Sequence, residues 1–137
     1  MKIFVDTGMW FAYLVRNDQY HGAALESMTE LQAKGDFLVT SELVISETYT
    51  LLMRKLGVKA ALKFLAIIKL QVEKGFTGII WADWAVLQEA NKILTKYQDH
   101  PVTLTDAASA SIVKREGIPV VATFDRHFKL MGLACIP

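Results

Sequence analysis

Two short apolar runs, each followed closely by an aspartate, constrain the fold more than any other feature of this sequence. The first run, residues 3–5, precedes Asp6, and the second, residues 120–124, precedes Asp125. Short runs without polar alternation are typical of strands that are buried on both faces, as in a parallel sheet covered by helices. The long interval between the two runs leaves room for the crossovers that parallel strands require.

The intervening segments carry apolar residues at helical spacing. The predicted helices that end at a glycine span residues 21–34, 41–56 and 58–74. A further helix is predicted after Asp83, which suits an N-cap, and a short one over residues 106–116. The remaining predicted strands are residues 37–39, residues 79–81 and a last one within residues 133–136. This alternation predicts one α/β domain over residues 1–137, with a parallel sheet of about four or five strands covered by helices.

Composition excludes several classes of protein. Hydrophobic residues make up 53% of the chain and charged residues 21%, which excludes an intrinsically disordered chain. The net charge is only +1, so any binding to nucleic acid has to come from a local patch. The single cysteine, Cys135, excludes an internal disulfide. No apolar stretch has the length of a signal peptide core or a membrane span, so we expect a cytoplasmic protein.

Acidic residues follow the predicted strands at their carboxyl ends. In an open α/β sheet the ligand crevice lies outside these ends, so Asp6 and Asp125 are expected at one edge. Asp106 begins the helix that feeds the second of these strands and is expected at the same edge. Three carboxylates there would repel one another, by about 4 kcal/mol per pair at 4 Å in an effective dielectric of 20. Mg²⁺ or Mn²⁺, which prefer carboxylate oxygens, would relieve this repulsion.

Each of these acids also has a structural interpretation when it is taken alone. Asp6 can begin a turn, Asp106 can cap a helix, and Asp125 can lie in a loop beside a basic neighbour. Glu47 lies on a mixed stripe of the predicted helix 41–56, where a surface salt bridge is the default. The functional interpretation is favoured because these structural interpretations would all have to be true at the same time.

The motifs, taken in order, resemble those of the PIN-domain family, and the length and ending resemble its single-domain VapC-type toxins. The motifs are Asp6-Thr7 after the first strand, Glu47 in a helix, the segment 103–106 that opens a helix, and the segment 123–125 after a late strand. The resemblance covers essentially the whole chain. It implies a Mg²⁺- or Mn²⁺-dependent endoribonuclease that is usually a homodimer and is inhibited by a small antitoxin protein.

The resemblance also assigns residues to roles. The implied catalytic residues are Asp6, Glu47, Asp106 and Asp125. The implied metal ligands are Asp6, Asp106 and Asp125, and the implied polar supports are Thr7 and Thr123. Glu42 competes for the helix position, and we prefer Glu47 because it lies one turn inside the helix. The candidates for contacts with the RNA backbone are Arg16, Arg54 and Arg126, with His127 and Lys129, although for any one of them a solvated surface charge is the favoured interpretation.

Other functions remain open or lose support on sequence grounds. Glycine-rich nucleotide-binding loops and the esterase nucleophile elbow are absent. Phosphoryl transfer through an aspartyl nucleophile stays open, since Asp6 follows a strand, although no second acid lies beside it in the strand. The main alternative is a catalytically silent PIN-like scaffold that binds RNA or a protein.

The apolar content also bears on association. So high a share in a small chain exceeds what a monomer buries easily, so we expect a homodimer formed through the helices of residues 41–74. The aromatic residues Trp10, Phe11, Trp81 and Trp84 are expected in the core or in dimer contacts rather than as platforms for stacking bases.

Overall fold

The computed structural model describes residues 1–137 and contains one five-stranded sheet in which every pairing is parallel. The strands are β1 (Lys2–Val5), β2 (Phe37–Thr40), β3 (Thr77–Ile79), β4 (Val120–Ala122) and β5 (Cys135–Ile136). Their order across the sheet is β3-β2-β1-β4-β5, so β1 is central. Because all strands run the same way, their carboxyl ends lie at one edge, and the predicted fold class is confirmed.

Seven helices connect the strands. They are α1 (Thr7–Leu14), α2 (His21–Lys34), α3 (Glu42–Leu56), α4 (Val58–Glu73), α5 (Trp84–Lys96), α6 (Leu104–Glu116) and α7 (His127–Leu130). Ser41 and Asp83 cap α3 and α5, since their side chains accept hydrogen bonds from backbone N–H groups three residues on. Gly35 ends α2 with φ of 71°, a left-handed conformation that glycine adopts without strain.

A single hydrophobic core of 29 buried residues lies around the sheet. The central strand β1 contributes Phe4 and Val5, both fully buried. On α6 the small residues Ala107, Ala108 and Ala110 are also fully buried. Small side chains let this helix pack close to its neighbours, and that places the first turn of α6 beside the carboxyl edge of the sheet.

The structure corrects two strand boundaries. β4 ends at Ala122 instead of at residue 124, because its neighbour β1 ends at Val5, the register partner of Ala122. Asp125 therefore lies in the loop beyond the sheet. Likewise β3 lies before the predicted residues 79–81 and shares only Ile79 with them, because Ile79 pairs with Thr40 at the end of β2.

One predicted helix start changes, and two further helices are present. α6 begins at Leu104 rather than at Asp106, because the Thr103 side chain accepts a hydrogen bond from the Asp106 N–H and caps the helix two residues earlier. The helices α1 and α7 were not predicted. α1 is apolar nearly all round, so it lacks the one-sided pattern of a surface helix, and α7 is a single turn.

The tryptophans divide between the core and the surface. Trp10 is buried as expected, but Trp81 and Trp84 are 65% and 72% exposed, so placing them in the core is wrong. Their contact with a second copy stays a prediction. None of the seven helices combines the length and the apolar character needed to cross a membrane.

Candidate active site

Asp6 stands where the central strand meets the first helix, at the carboxyl edge of the sheet. It is 3% exposed, and its backbone N–H donates to the Ala122 carbonyl oxygen at 3.1 Å, which ties it to β4. The Thr123 hydroxyl donates to Asp6 Oδ2 at 3.0 Å, whereas Asp6 Oδ1 is buried without a hydrogen-bond partner. A buried carboxylate oxygen without a partner is costly, so this atom calls for a cation or a proton.

The electrostatics of this edge disfavour ionisation of its carboxyls. Burial raises the pKa of Asp6 to about 7, and the negative charge of Asp106 adds to the shift, while hydrogen bonds from Thr7 and Thr123 oppose it. Burial also raises the pKa of Asp106 to about 6, and Asp125 contributes through its charge. Perturbed carboxyls that interact in one cluster are typical of functional sites.

Asp125 is held in the loop after β4 by its neighbours. Its backbone N–H donates to the Thr123 hydroxyl at 3.0 Å, and its Oδ1 accepts from the His127 backbone N–H at 2.9 Å. The His127 Nδ1 atom lies 2.9 Å from the same Oδ1. Asp106, Asp125 and His127 thus each offer a ligand atom, all within 4.8 Å of one another. The sequence suggested His127 only as an RNA contact, and the i, i+2 spacing from Asp125 was the signal for its place in this cluster.

The structure separates the two glutamates of α3. The negative charge of Glu47 raises the pKa of both Asp6 and Asp106, so Glu47 faces the acidic edge. Both carboxylate oxygens of Glu42 instead accept from the Ala82 N–H, at 2.9 and 3.0 Å. Glu42 therefore ties α3 to the segment after β3, and Glu47 lies with the other acids.

The remaining predicted residues fall into two groups. Thr7 and Thr123 are buried next to the acids, and the Thr7 hydroxyl, like Asp6 Oδ1, has no hydrogen-bond partner. Arg16 is exposed in the turn between α1 and α2, and Arg126 is exposed beside Asp125. Arg54 lies in the last turn of α3, seven residues and hence about 10 Å along the helix from Glu47. The structure does not group Arg54 with the acids.

The donor set fits a divalent cation. Asp106 and Asp125 offer hard oxygen ligands beside the imidazole of His127, Asp6 interacts electrostatically with Asp106, and Mg²⁺ and Mn²⁺ favour carboxylate oxygens. The unpartnered Oδ1 of Asp6 supplies an oxygen that nothing else in the chain satisfies. Asp6, Asp106 and Asp125 are the residues that could hold the ion.

A second concave feature lies away from the acids. It is an apolar groove of about 780 Å³ between α1, α2 and α4, which we call the α1–α4 groove. Its apolar lining includes Trp10, Tyr13, Met28, Ile67 and Leu70. Two buried polar atoms of lining residues, Trp10 Nε1 and Asp36 Oδ2, have no hydrogen-bond partner. The wall of the groove is thus predominantly apolar, and these two atoms are buried beneath its surface.

A parallel sheet with acids at its carboxyl edge is the arrangement expected of a PIN domain, and residues 3–132 match the PIN domain family model. The chain belongs to the PIN-domain family. It is 31% identical over 130 residues to the 23S rRNA-specific endonuclease VapC20 of Mycobacterium tuberculosis, covering 95% of this chain and 94% of that protein. Ribonuclease VapC26 of the same species is 28% identical over 130 residues, covering 94% of this chain and 91% of that protein.

Solved structures agree with this assignment. The crystal structure of M. tuberculosis VapC20, described as a sarcin–ricin loop cleaving toxin, matches with a TM-score of 0.83 at 28% identity over 96% of both chains. VapBC2 from Rickettsia felis, bound to a DNA fragment from its promoter, matches with a TM-score of 0.72 over 98% of this chain and 97% of that chain. At 15% identity the second match concerns the fold alone. The resemblance to the PIN-domain family and its VapC toxins is confirmed.

Proposed function

We propose that this chain is a Mg²⁺- or Mn²⁺-dependent endoribonuclease and the toxin of a toxin–antitoxin pair. The observation that carries the proposal is the buried Oδ1 of Asp6, which has no partner in a cluster of interacting carboxyls at the carboxyl edge of the sheet. RNA as the substrate is supported by relatives named as ribonucleases, one of them specific for 23S rRNA.

In this proposal the chain's own side chains have distinct tasks. Asp6, Asp106 and Asp125 hold the cation, and Thr123 fixes one oxygen of Asp6 so that the other stays free. When bound, a divalent cation lowers the pKa of water and polarises the phosphate. Glu47 makes no hydrogen bond or ion pair within the chain, so its carboxylate is free to orient the attacking water by accepting a hydrogen bond.

The RNA backbone would be held by basic residues at the rim. Arg126 is exposed and directly follows Asp125 in the chain, whereas Arg16 is exposed but lines the α1–α4 groove. Since the net charge of the chain is only +1, the binding has to come from such local groups. Lys129 is exposed in α7 and is a third candidate. Arg54 is the weakest candidate, because it lies at the far end of α3.

A small antitoxin would cover the α1–α4 groove. A bound segment would pack apolar side chains against the lining of this groove, which includes Trp10, Tyr13 and Leu70. α1 links this groove to the active site, because Trp10 follows Asp6 by about one helical turn. A segment that continues along α1 would therefore bring a basic side chain to the acids and neutralise them in place of the cation.

A homodimer would use the flank of α4 that lies opposite to the α1–α4 groove. Val58, Leu62 and Leu65 are spaced by four and three residues, lie on one flank of the helix and are 52%, 52% and 37% exposed. The buried face of α4 is formed instead by Ala61, Phe64 and Ile68. This exposed flank gives α4 an apolar surface that a second copy could cover.

Cleavage of RNA with controlled metal content tests the proposed activity. Total RNA and a synthetic sarcin–ricin hairpin are incubated with the protein in Mg²⁺, Mn²⁺ or EDTA, and the 5′ ends of the products are mapped. We expect discrete cuts with either cation and none in EDTA or with Asp6→Asn. RNA that is bound but intact under every condition would favour the silent scaffold. Equal cleavage by Asp6→Asn would mean that the acidic edge is not the active site.

A further inference from the structure

The ring of Tyr20 lies flat on the ring of Phe124, across two segments that are far apart in the chain. The ring centroids are 4.6 Å apart, and the ring planes differ by 7°. Tyr20 ends the turn between α1 and α2, while Phe124 lies in the loop after β4. The stack therefore connects the first helical crossover to the loop that carries Asp125.

Phe124 lies between two residues of the active site. Thr123, which precedes it, donates to Asp6, and Asp125, which follows it, belongs to the cluster of possible metal ligands. A ring stacked on Phe124 is consequently one side chain away from the acids. The exposed Trp84 is placed farther from the acids. Trp84 begins α5 next to Asp83, which forms an ion pair with Arg115. Arg115 lies nine residues, or about 13 Å, along α6 from Asp106.

The turn that carries Tyr20 is held in place by local bonds. The Tyr20 N–H donates to Asp18 Oδ1 at 2.8 Å, and the His21 N–H donates to the Asp18 carbonyl oxygen at 3.0 Å. His21 Nδ1 lies 2.8 Å from the carbonyl oxygen of Ala12 in α1. These contacts fix the backbone on both sides of Tyr20, so the ring is preorganised rather than loose.

Tyr20 remains accessible to solvent although Phe124 stacks on one face of its ring. The residue is 44% exposed, and Phe124 is the only aromatic ring that stacks on it. Exposed basic residues accompany both rings: Arg16 lies in the same turn as Tyr20, and Arg126 follows Phe124 by two residues. Aromatic rings flanked by basic side chains form the common arrangement for binding single-stranded nucleic acid, in which bases stack while cations hold the phosphates.

We propose that the exposed ring of Tyr20, backed by Phe124, stacks against an unpaired base of the RNA that adjoins the cleaved phosphate. This inference rests on the proposed ribonuclease function and specifies the kind of RNA that the site takes. A duplex would not present a free base face, so the platform selects loops or single strands. Stacking on a fixed ring also supplies binding that a chain of nearly neutral net charge lacks.

Binding measured without catalysis provides the first test. A fluorescently labelled hairpin RNA is titrated with protein in EDTA, and anisotropy gives the dissociation constant. Tyr20→Leu keeps an apolar side chain against Phe124 but removes the stacking face, and we expect it to weaken binding roughly tenfold. Tyr20→Phe should bind as the wild type does. Trp84→Leu, which removes an exposed aromatic ring elsewhere, is the matched control and should leave binding unchanged.

An RNA with abasic loop nucleotides identifies the contact as one with a base. Wild type should bind this RNA roughly tenfold more weakly than the intact hairpin, and Tyr20→Leu should bind both RNAs equally. The dependence of binding on salt should be the same for both proteins, because the phosphate contacts remain. Equal losses on abasic RNA in both proteins would overturn the proposal.

Two further readouts distinguish the platform from a brace for the loop. In cleavage assays Tyr20→Leu should raise KM with little change in kcat, and its stabilisation by Mn²⁺ should equal that of wild type. Loss of that stabilisation would mean that Tyr20 acts by positioning Asp125, and the proposal would be wrong. A change of mass in light scattering would assign the surface to a protein contact instead.

The outcomes also separate this inference from the proposed activity. Binding that depends on Tyr20, in a protein that cleaves no RNA, would refute the ribonuclease and leave the platform standing. Cleavage that requires Asp6 but is unchanged by Tyr20→Leu would support the ribonuclease and refute the stacking platform.

Discussion

Thr123 joins the two ends of the acidic cluster, because its hydroxyl donates to Asp6 Oδ2 and accepts from the Asp125 N–H, both at 3.0 Å. One side chain thus sets the orientation of Asp6 and the position of Asp125. The Asp125 N–H can only donate and an ionised Asp6 carboxylate can only accept, so the single hydroxyl proton is directed toward Asp6. Asp6 Oδ1 is left as the free oxygen.

Replacing Thr123 with valine should test this arrangement. Thr123→Val keeps the shape but removes the hydroxyl, so Asp6 Oδ2 loses its partner and the Asp125 N–H loses its acceptor. We expect Mn²⁺ affinity and cleavage to fall by about 10–100-fold, the usual effect of losing a group that orients a metal ligand. Thr123→Ser retains the hydroxyl and should stay within a few-fold of wild type. A fully active valine variant would show that the hydrogen bonds are dispensable.

Asp6→Asn should abolish cleavage without unfolding the protein. The amide cannot replace the carboxylate as a ligand, but it removes one of several repelling charges, so the metal-free protein should be equally or more stable. Thermal melts in EDTA check the stability, and RNA gels check the activity. An Asp6→Asn variant that is inactive because it is unfolded would contradict this prediction and would not support the metal site.

Divalent cations should stabilise the folded chain through the same residues. A ligand that binds only the folded state adds RT ln(1 + [L]/Kd), about 2.7 kcal/mol at a hundredfold excess. The melting temperature of wild type should therefore rise with Mn²⁺, while that of the double variant Asp6→Asn/Asp106→Asn should not. Equal shifts in both proteins would place the cation elsewhere.

Glu47 and Glu42 provide a matched pair on one helix. Glu47→Gln should reduce cleavage by at least tenfold, because its charge faces Asp6 and Asp106. Glu42→Gln should be nearly silent, since the amide oxygen can still accept from the Ala82 N–H. Initial rates on one RNA compare the two directly. Comparable losses would contradict the choice of Glu47.

Metal-free protein should lose stability as the pH rises. The folded pKa of Asp6, about 7, exceeds its ordinary value of 3.8, so between these values the folded state keeps a proton that the unfolded chain has released. The free energy of unfolding should fall across this window by up to about 1.4 kcal/mol per pH unit for this carboxyl, and Asp106 adds to the fall up to about pH 6. Urea titrations in EDTA from pH 4 to about 8 measure the slope, which Asp6→Asn should reduce.

The sequence predicted the order of helices and strands along the chain better than the residues at which they begin and end. Ser41 and Gly35 carry chemistry that is local, a cap and a left-handed terminus, so the bounds of α2 and the start of α3 could be read from the chain. The end of β4 depends instead on Val5 of another strand, which no local pattern contains. The strand ends that depend on a neighbour in space were therefore missed, and of the local signals only the Thr103 cap of α6 was overlooked.

The candidate site shows the same division. Acids that follow strands, such as Asp6, could be expected at the carboxyl edge from topology alone. The Tyr20–Phe124 stack could not, because it depends on how a loop and a turn meet in space. The choice between Glu47 and Glu42 likewise required the contact of Glu42 with Ala82.

Association through α4 gives a final prediction. Leu62 is 52% exposed on the apolar flank of this helix, whereas its neighbour Ala61 is fully buried in the core. Leu62→Lys should therefore leave the fold intact and charge the surface that a second copy would cover, which favours the monomer. Light scattering at micromolar concentration should give about 30 kDa for wild type, twice the 15.3 kDa of the chain, and about half of that for the variant.

The matched control is Leu25→Lys on α2, which should remain dimeric. Leu25 has a similar exposure, 47%, and lies away from this flank. A wild-type particle of 15.3 kDa would refute the dimer, and a dimer that survives Leu62→Lys would mean that the copies meet through another surface, for which the exposed Trp81 and Trp84 are the next candidates.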